Sequence, residues 1–185
     1  MDDTKLKKDQ PIPESTKIYN SLINTSLPSI SLPNQSGNLL KINRIDTFRK
    51  VIYFYSMTGR PDKKLPHNWE KIPGASGCTF ENCKFRDNYE NFIKLNALPI
   101  GISTQNIEDL KEMTDRLGIQ HDILSDIDIL LTNKLFLPTF SVENKTYLKR
   151  LTLIVEKNIV KKVFYPVTSI NKHIDDILIW LKENY

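Results

Sequence analysis

The sequence contains only two cysteines, and they lie close together. Cys78 and Cys83 are five positions apart in a chain of 185 residues. Two thiols are too few for a disulfide scaffold, but a pair at short spacing can bind a metal ion, pack as two small apolar side chains, or form a redox couple. This pair is therefore the first candidate for a site of chemistry.

A metal site is the weakest of these three interpretations. Zinc usually has four ligands, with cysteines spaced by about two to four residues and partners elsewhere. The histidines that could complete such a site, His67, His121 and His173, are scattered along the chain. The sequence therefore predicts no metal, while packing as a small apolar residue stays open for Cys83.

Cys78 occupies a position that favours chemistry. Gly77 permits an abrupt turn of the backbone, and Thr79 opens a predicted helix, so the sulfur lies beside backbone N–H groups without partners in the helix. These groups and the helix dipole stabilise negative charge, which favours the thiolate. A thiolate at a loop-to-helix junction is a nucleophile.

The spacing of the two cysteines adds a mechanical constraint. In an intact α-helix, residues five apart have Cα atoms separated by about 8.5 Å. A disulfide tolerates at most about 7 Å between Cα atoms. If Cys78 and Cys83 pair, the first turn or two of their helix must therefore unwind.

The segments that flank Cys78 predict a buried strand, a long loop and a helix. Residues 51–55 (VIYFY) form an apolar run typical of a central strand covered on both faces. Residues 56–77 are punctuated by prolines, which indicates a loop that packs at a few points and is long enough to be functional. From Thr79 to about residue 95 the spacing predicts one helix, with a buried face formed by Phe85, Tyr89, Phe92 and Ile93.

The remaining segments complete an α/β pattern. They are a hairpin or short edge strands at 32–42, strands at 99–103 and 123–125, a helix capped by Asn106 and ended by Gly118, a helix at 126–135, a turn region at 138–145, a hairpin at 151–165, and a final amphipathic helix. This order predicts a mixed β-sheet with helices on both faces and is compatible with a thioredoxin-like fold. We expect residues 1–16 to form a mobile tail and residues 17–185 a single domain.

The composition excludes several classes of protein. Hydrophobic residues make up 39% of the chain, enough for one globular core. The 26 Lys and Arg residues exceed the 22 Asp and Glu residues by only four, and they are spread along the sequence, so nucleic acid is not expected as a partner. No apolar run is long enough to span a membrane, and the first residues lack the apolar core of a signal peptide. We therefore expect a cytoplasmic protein without a membrane partner.

Residues 77–87 (GCTFENCKFRD) closely resemble the active-site helix of a known enzyme family. The G-C-T-x-x-x-C-x-x-R-D pattern is similar to that of peroxiredoxins of the bacterioferritin-comigratory, or Q-type, group. Further fragments resemble that group in the same order: residues 51–55, 101–105 (GISTQ), 124–126 (LSD) and 149–155 (KRLTLIV). Together they extend the resemblance over roughly residues 24–183.

The resemblance implies a function and a set of site residues. It implies a thioredoxin-like fold and a thiol-dependent antioxidant peroxidase that reduces hydrogen peroxide or organic hydroperoxides. Cys78 corresponds to the peroxidatic cysteine, Cys83 to the resolving cysteine that forms an intramolecular disulfide with it, and Arg150 to the active-site arginine. Thr79 and Arg86 are substrate-binding candidates. A thioredoxin- or glutaredoxin-like dithiol would restore the enzyme, and no cofactor is implied.

The sequence departs from the family pattern just before Cys78. Peroxiredoxins usually carry P-x-x-x-T-x-x-C, whereas this chain has Lys71 and Ala75 at the two corresponding positions. The loop at 56–77 resembles the extra active-site loop of a subgroup of peroxiredoxin-like proteins. Within this loop, Thr58 or Ser76 is a candidate to supply the missing hydroxyl. These departures motivate an alternative function, a redox-responsive binding or chaperone-like protein. A disulfide reductase is disfavoured, because it would carry Cys-x-x-Cys.

Overall fold

The fold is organised around a five-stranded mixed sheet. The computed structural model describes residues 12–185. The helices and strands in chain order are α1 (Glu14–Leu22), β1 (Ser31–Pro33), β2 (Leu39–Lys41), β3 (Arg49–Phe54), α2 (Cys78–Asp87), α3 (Tyr89–Lys94), β4 (Ala97–Ser103), α4 (Ile107–Leu117), β5 (Ile123–Ser125), α5 (Leu130–Leu135), β6 (Thr139–Val142), β7 (Lys145–Leu148), β8 (Leu151–Glu156), β9 (Ile159–Phe164) and α6 (Ile170–Glu183).

Strand β3 is the centre of the sheet, as the apolar run at 51–55 predicts. The strand order is β5-β4-β3-β8-β9, and all six residues of β3 are buried. β3 runs parallel to β4 and antiparallel to β8, so that Ile52 lies between Ile100 and Leu153. The predicted hairpins β1–β2 and β8–β9 are both antiparallel pairs, which is confirmed.

Helices cover both faces of the sheet, which confirms the predicted α/β class. Successive side chains of a strand point to opposite faces, so β3 contributes to two apolar cores. One core contains buried residues from β3 and from α2, α3, α4 and α6: Val51, Tyr53, Phe85, Phe92, Leu110, Met113, Ile174 and Ile177. The other contains residues from β3, α1, α5 and the β1–β2 hairpin: Ile52, Phe54, Leu22, Leu131, Leu135 and Leu32.

The single helix predicted from residue 79 to about residue 95 is two helices. They are separated at Asn88, whose φ of −104° and ψ of 9° lie outside helical geometry and whose side chain donates to the carbonyl of Lys84 at 3.0 Å. The change of direction keeps the Phe85 and Phe92 rings stacked in the core, with centroids 5.5 Å apart. Ile93, predicted to be buried, is 40% exposed.

The predicted turn region at 138–145 is also wrong, because it contains a strand. β6 pairs antiparallel with β7 and forms a hairpin outside the main sheet. Its Phe140 and Tyr147 pack on Trp69 from the long loop, with ring centroids 5.7 Å and 4.9 Å from the tryptophan ring. The loop at 56–77 is therefore anchored to the β6–β7 hairpin, a contact between segments too distant in sequence for local periodicity to reveal.

One helix begins later than predicted, and one helix, α1, was not predicted. The helix predicted at 126–135 begins only at Leu130. The carboxylate of Asp126 accepts hydrogen bonds from the backbone N–H groups of Leu131 and Thr132, so Asp126 lies in a turn before the helix and not within it. α1 begins at Glu14, three residues before the predicted domain start. The remainder of the predicted tail, residues 1–11, lies outside the described residues. Among residues 12–185 no helix is long and apolar enough to cross a membrane.

Gly101 in β4 tests this packing. A Cβ atom there would lie 2.6 Å from Cδ1 of Ile123 and 2.7 Å from the ring and hydroxyl of Tyr53, its cross-strand neighbour. We expect Gly101→Ala to lower the free energy of unfolding by about 1–3 kcal/mol, since overpacking forces neighbours to shift. The matched control is Gly59→Ala, whose added Cβ would meet only Cδ2 of Leu65, at 3.3 Å. Equal urea midpoints for the two variants would contradict the prediction.

Candidate active site

Cys78 lies at the first position of α2, where the long loop enters the helix. The preceding residue, Gly77, has a φ of 95°, a left-handed conformation that favours glycine. A Cβ at Gly77 would also lie 2.8 Å from Cδ1 of Ile170 in α6. Cys78 is only 1% exposed, so its sulfur reacts in surroundings set by protein groups rather than by bulk water.

Arg150, immediately before β8, places a buried positive charge at the sulfur. Its Nη2 lies 3.2 Å from Sγ of Cys78 and donates to the carbonyl oxygen of Ser76 at 3.1 Å. Its Nε donates to Oε2 of Glu81 at 2.7 Å. The guanidinium therefore joins the thiol, the loop and the helix, and its charge stabilises a thiolate.

Glu81 is the counter-ion of this arginine, and the sequence reasoning missed it. It lies three residues after Cys78, so that both side chains project from the same face of α2. The carboxyl group is fully buried, and Oε1 has no hydrogen-bond partner among the described residues. Burial raises the pKa of Glu81 to about 7, although the charge of Arg150 acts in the opposite direction. The sequence pattern that could have identified Glu81 is its spacing of three residues from Cys78.

The hydroxyl beside the sulfur comes from Ser56, which the sequence reasoning also missed. Its Oγ lies 3.2 Å from Sγ of Cys78 and donates to the carbonyl oxygen of Ala75 at 3.1 Å. The same carbonyl accepts from the Cys78 thiol at 3.6 Å. Ser56 follows the carboxyl end of β3, and α/β sheets bind their ligands at this edge. This position is the sequence pattern that could have identified Ser56.

Neither predicted hydroxyl donor lies at the sulfur. The hydrogen bonds of Sγ within residues 12–185 go to Ser56, Ala75 and Arg150. The backbone N–H and hydroxyl of Thr58 both bond to Oε1 of Gln105. Ser76 is exposed and contributes its carbonyl rather than its hydroxyl. Of the hydroxyls of Ser56, Thr58 and Ser76, that of Ser56 is the one within hydrogen-bond distance of the sulfur.

The other two predicted binding residues, Thr79 and Arg86, are not among the hydrogen-bond partners of the Cys78 sulfur within residues 12–185. Thr79 is half-buried in the first turn of α2. Arg86 donates from Nη1 to the carbonyl oxygen of Leu117 at 2.6 Å, at the end of α4, and pairs with Asp87 at 2.7 Å. In this state of the protein Arg86 connects two helices and does not reach Cys78.

Cys83 lies on the same helix as Cys78, and both are free thiols. Cys83 is partly exposed, whereas Cys78 is buried. Because α2 is continuous from residue 78 to residue 87, the two Cα atoms are separated by about 8.5 Å, beyond the reach of a disulfide. The structure is thus the dithiol state, and pairing of the thiols requires α2 to unwind.

A cavity of about 750 Å³ opens beside Arg150 and Ser76. Its walls come from the long loop, the β6–β7 hairpin and the segment before α6, and they are mostly apolar: Ile72, Phe140, Val167 and Ile170. The cavity is large enough for an organic molecule of moderate size, and it gives solvent a route toward the arginine. Among the described residues no group of three or more His, Cys, Asp or Glu is arranged to hold a metal ion.

Comparisons with known proteins agree with this geometry. Residues 72–163 match the model of the AhpC/TSA family. The chain is 27% identical over 161 residues to peroxiredoxin Bcp of Escherichia coli, covering 85% of this chain and 93% of that protein. It is 27% identical over 173 residues to the chloroplastic peroxiredoxin Q of Populus jackii, covering 90% of this chain and 73% of that protein.

Solved structures give the same result for the fold. Peroxidoxin BcpB of Mycobacterium tuberculosis superposes with a TM-score of 0.72 at 22% identity, covering 88% of this chain and 97% of that one. Peroxiredoxin Q of Xanthomonas campestris superposes with a TM-score of 0.70 at 19% identity, covering 88% of this chain and 98% of that one. These likenesses confirm the predicted thioredoxin-like fold.

The titration of Glu81 gives a stability prediction. The pKa of Glu81 is about 7 in the folded protein, whereas the ordinary value for a glutamate is 4.5. The contribution of the protonated carboxyl group to stability is therefore fully present below about pH 4.5 and is lost as the pH rises through about 7. From about pH 5 to about pH 8, the free energy of unfolding of the wild type should fall by about 1–3 kcal/mol relative to Glu81→Gln.

Urea denaturation of both proteins across this pH range measures the difference. The buried His121 and His173, whose pKa values burial lowers to about 4, titrate alike in both proteins and cancel. A difference that stays constant with pH would show that Glu81 does not titrate in this range.

Proposed function

We propose that this chain, which belongs to the AhpC/TSA family, is a peroxiredoxin that reduces hydroperoxides with the thiol of Cys78. The observation that carries the proposal is the buried contact of 3.2 Å between Nη2 of Arg150 and Sγ of Cys78. A cation at this position stabilises both the attacking thiolate and the negative charge that develops on the oxygen of a breaking O–O bond.

In the first step, the Cys78 thiolate attacks one oxygen of the hydroperoxide. The S–O bond forms as the O–O bond breaks, and the leaving oxygen takes up a proton to become water or an alcohol. Arg150 neutralises the developing charge, and the hydroxyl of Ser56 orients the sulfur and the peroxide. The product on the enzyme is a sulfenic acid at Cys78.

In the second step, Cys83 resolves the sulfenic acid. Its thiol attacks Sγ of Cys78, the S–S bond forms, and the sulfenic oxygen leaves as water. Since the cysteines lie too far apart in the intact helix, α2 unwinds before this step. The partial exposure of Cys83 favours its release from the helix.

A dithiol protein of the thioredoxin or glutaredoxin type completes the cycle. It attacks the disulfide through a mixed disulfide and leaves Cys78 and Cys83 reduced, so that no organic cofactor or metal takes part. Such a reductant is maintained in a reducing compartment, and we place the protein in the cytoplasm.

Organic hydroperoxides are proposed as substrates together with hydrogen peroxide. The apolar walls of the cavity beside Arg150 suit a carbon chain, and its opening toward the arginine suits the hydroperoxide group. Stopped-flow rates with hydrogen peroxide and cumene hydroperoxide rank the two substrates. Steady-state turnover with thioredoxin or glutaredoxin identifies the reductant.

Variants of the two cysteines test the function. After one equivalent of hydrogen peroxide, the wild type should contain a Cys78–Cys83 disulfide by mass spectrometry, and Cys83→Ser should retain a sulfenic acid at Cys78. Cys78→Ser should lose peroxide consumption. A Cys78→Ser variant as fast as the wild type would sink the proposal, and disulfide formation without turnover would favour the redox-responsive binding protein.

Ser56 gives a second test. Removing its hydroxyl from Sγ should slow the reaction with hydrogen peroxide by about tenfold in Ser56→Ala, the size expected of one hydrogen bond. Ser76→Ala is the matched control, because the Ser76 hydroxyl is exposed and only its carbonyl contacts Arg150. Its rate should stay within about twofold of the wild type. Equal rates in the two variants would remove Ser56 from the mechanism.

A further inference from the structure

Beneath α2, buried polar side chains connect the helix to the sheet. Asn82 is fully buried and lies between the two cysteines in sequence. Its Nδ2 donates to the carbonyl oxygen of Cys78 at 2.9 Å, and its Oδ1 accepts from the hydroxyl of Tyr53 in β3 at 2.8 Å. The side chain of Asn82 therefore links the backbone of the first turn of α2 to the central strand.

His121 completes this set of hydrogen bonds. Its Nε2 lies 2.8 Å from the same Tyr53 hydroxyl. Since that hydroxyl donates its single hydrogen to Asn82, its oxygen accepts from His121, which assigns the proton of the neutral imidazole to Nε2. Nδ1 of His121 has no hydrogen-bond partner within the described part of the chain. We refer to Tyr53, Asn82 and His121 as the Tyr53 network.

Packing fixes the tyrosine in place. The ring of Phe85, on α2, stacks on the Tyr53 ring with centroids 3.8 Å apart and planes 9° from parallel. On the other side, Gly101 leaves the space that the Tyr53 hydroxyl occupies, because a Cβ there would lie 2.7 Å from it. The hydroxyl thus has one position, from which it reaches both Asn82 and His121.

We propose that the Tyr53 network holds α2 wound and thereby sets the rate at which the Cys78 sulfenic acid meets Cys83. The proposal rests on the peroxidase function proposed above. Tyr53, Asn82 and His121 are positioning residues, because none of them contacts the sulfur of Cys78. Unwinding of α2 breaks both hydrogen bonds of Asn82, so the strength of the network adds to the barrier of the second step but not of the first.

The rate of this step decides between two fates of the sulfenic acid. In one, Cys83 displaces the sulfenic oxygen as water and forms the disulfide. In the other, a second hydroperoxide oxidises the sulfenic acid to a sulfinic acid and is itself reduced to water or an alcohol. Only the first fate requires unwinding. A stronger network therefore makes the enzyme more prone to irreversible oxidation, and a weaker one protects it.

A pair of matched variants tests the proposal. Tyr53→Phe removes the bridging hydroxyl and keeps the ring that stacks on Phe85. Tyr55→Phe makes the same change two residues further along the chain, at a buried hydroxyl without a hydrogen-bond partner among residues 12–185. Asn82→Ala removes the same hydrogen bond from the helix side and serves if Tyr53→Phe fails to fold. Disulfide and sulfinic acid are quantified by acid quench and mass spectrometry after peroxide.

We expect disulfide formation to be about fivefold faster in Tyr53→Phe than in the wild type, the effect of one buried hydrogen bond. The fraction of sulfinic Cys78 at high peroxide should fall, while the rate of the first step stays unchanged. Tyr55→Phe should match the wild type in all three measurements. Equal disulfide rates in Tyr53→Phe and the wild type would overturn the proposal, as would equal acceleration in both tyrosine variants.

A peroxide-independent oxidant separates this proposal from the peroxidase function. Oxidised glutathione forms a mixed disulfide with one of the two cysteines and releases one reduced glutathione. The other cysteine then displaces the second glutathione to form the Cys78–Cys83 disulfide, and this step still requires α2 to unwind. A faster exchange in Tyr53→Phe than in Tyr55→Phe supports the network even if neither protein consumes peroxide. Equal exchange rates overturn the network even if peroxidase activity is present.

Discussion

The site depends on a guanidinium held between a thiol and a carboxyl group in the protein interior. Arg150 is 7% exposed and Glu81 is fully buried, so each charge is costly without the other. Their contact of 2.7 Å offsets part of this cost, and Nη2 of the arginine reaches both Cys78 and the loop carbonyl of Ser76. The start of β8, the end of the long loop and the first turn of α2 are therefore positioned by one side chain.

The same arrangement imposes a conflict on α2. The helix must be wound to place Cys78 beside Arg150, and it must unwind to bring Cys83 to the oxidised sulfur. A helix of ten residues is marginal in isolation, so its stability comes from contacts with the sheet. Those contacts include the stack of Phe85 on Tyr53 and the buried hydrogen bonds of Asn82. Chemistry and resolution thus make opposite demands on the same interface.

Local sequence patterns were sufficient for the frame of the molecule. The apolar run of β3, the cap at Asn106 and the turn at Gly77 each follow from residues adjacent in the chain, and all three are found in the structure. Arg150 came from a resemblance between short motifs, since a lone arginine before a strand has no distinctive pattern. In the structure its Nη2 lies 3.2 Å from Sγ of Cys78.

What local patterns did not supply are features that arise across the fold. Ser56 reaches Cys78 only because the chain turns back over 22 positions, and the β6–β7 hairpin is stabilised by Trp69 from a distant loop. The break at Asn88 reflects tertiary packing of Phe92 against the sheet, which overrides the helical spacing of the preceding residues. These contacts depend on three-dimensional proximity, which the spacing of residues along the sequence does not predict.

We infer that the buried charge of Arg150 makes Cys78 reactive toward peroxide. The measurement that tests it most directly is the second-order rate of reaction with hydrogen peroxide, by stopped flow, for Arg150→Met and Lys149→Met. Both changes remove one positive charge, but Lys149 pairs with Glu14 at the surface. We expect Arg150→Met to be slower by about 100-fold and Lys149→Met to stay within about twofold of the wild type. A wild-type rate in Arg150→Met, or an equal loss in both variants, would contradict the account.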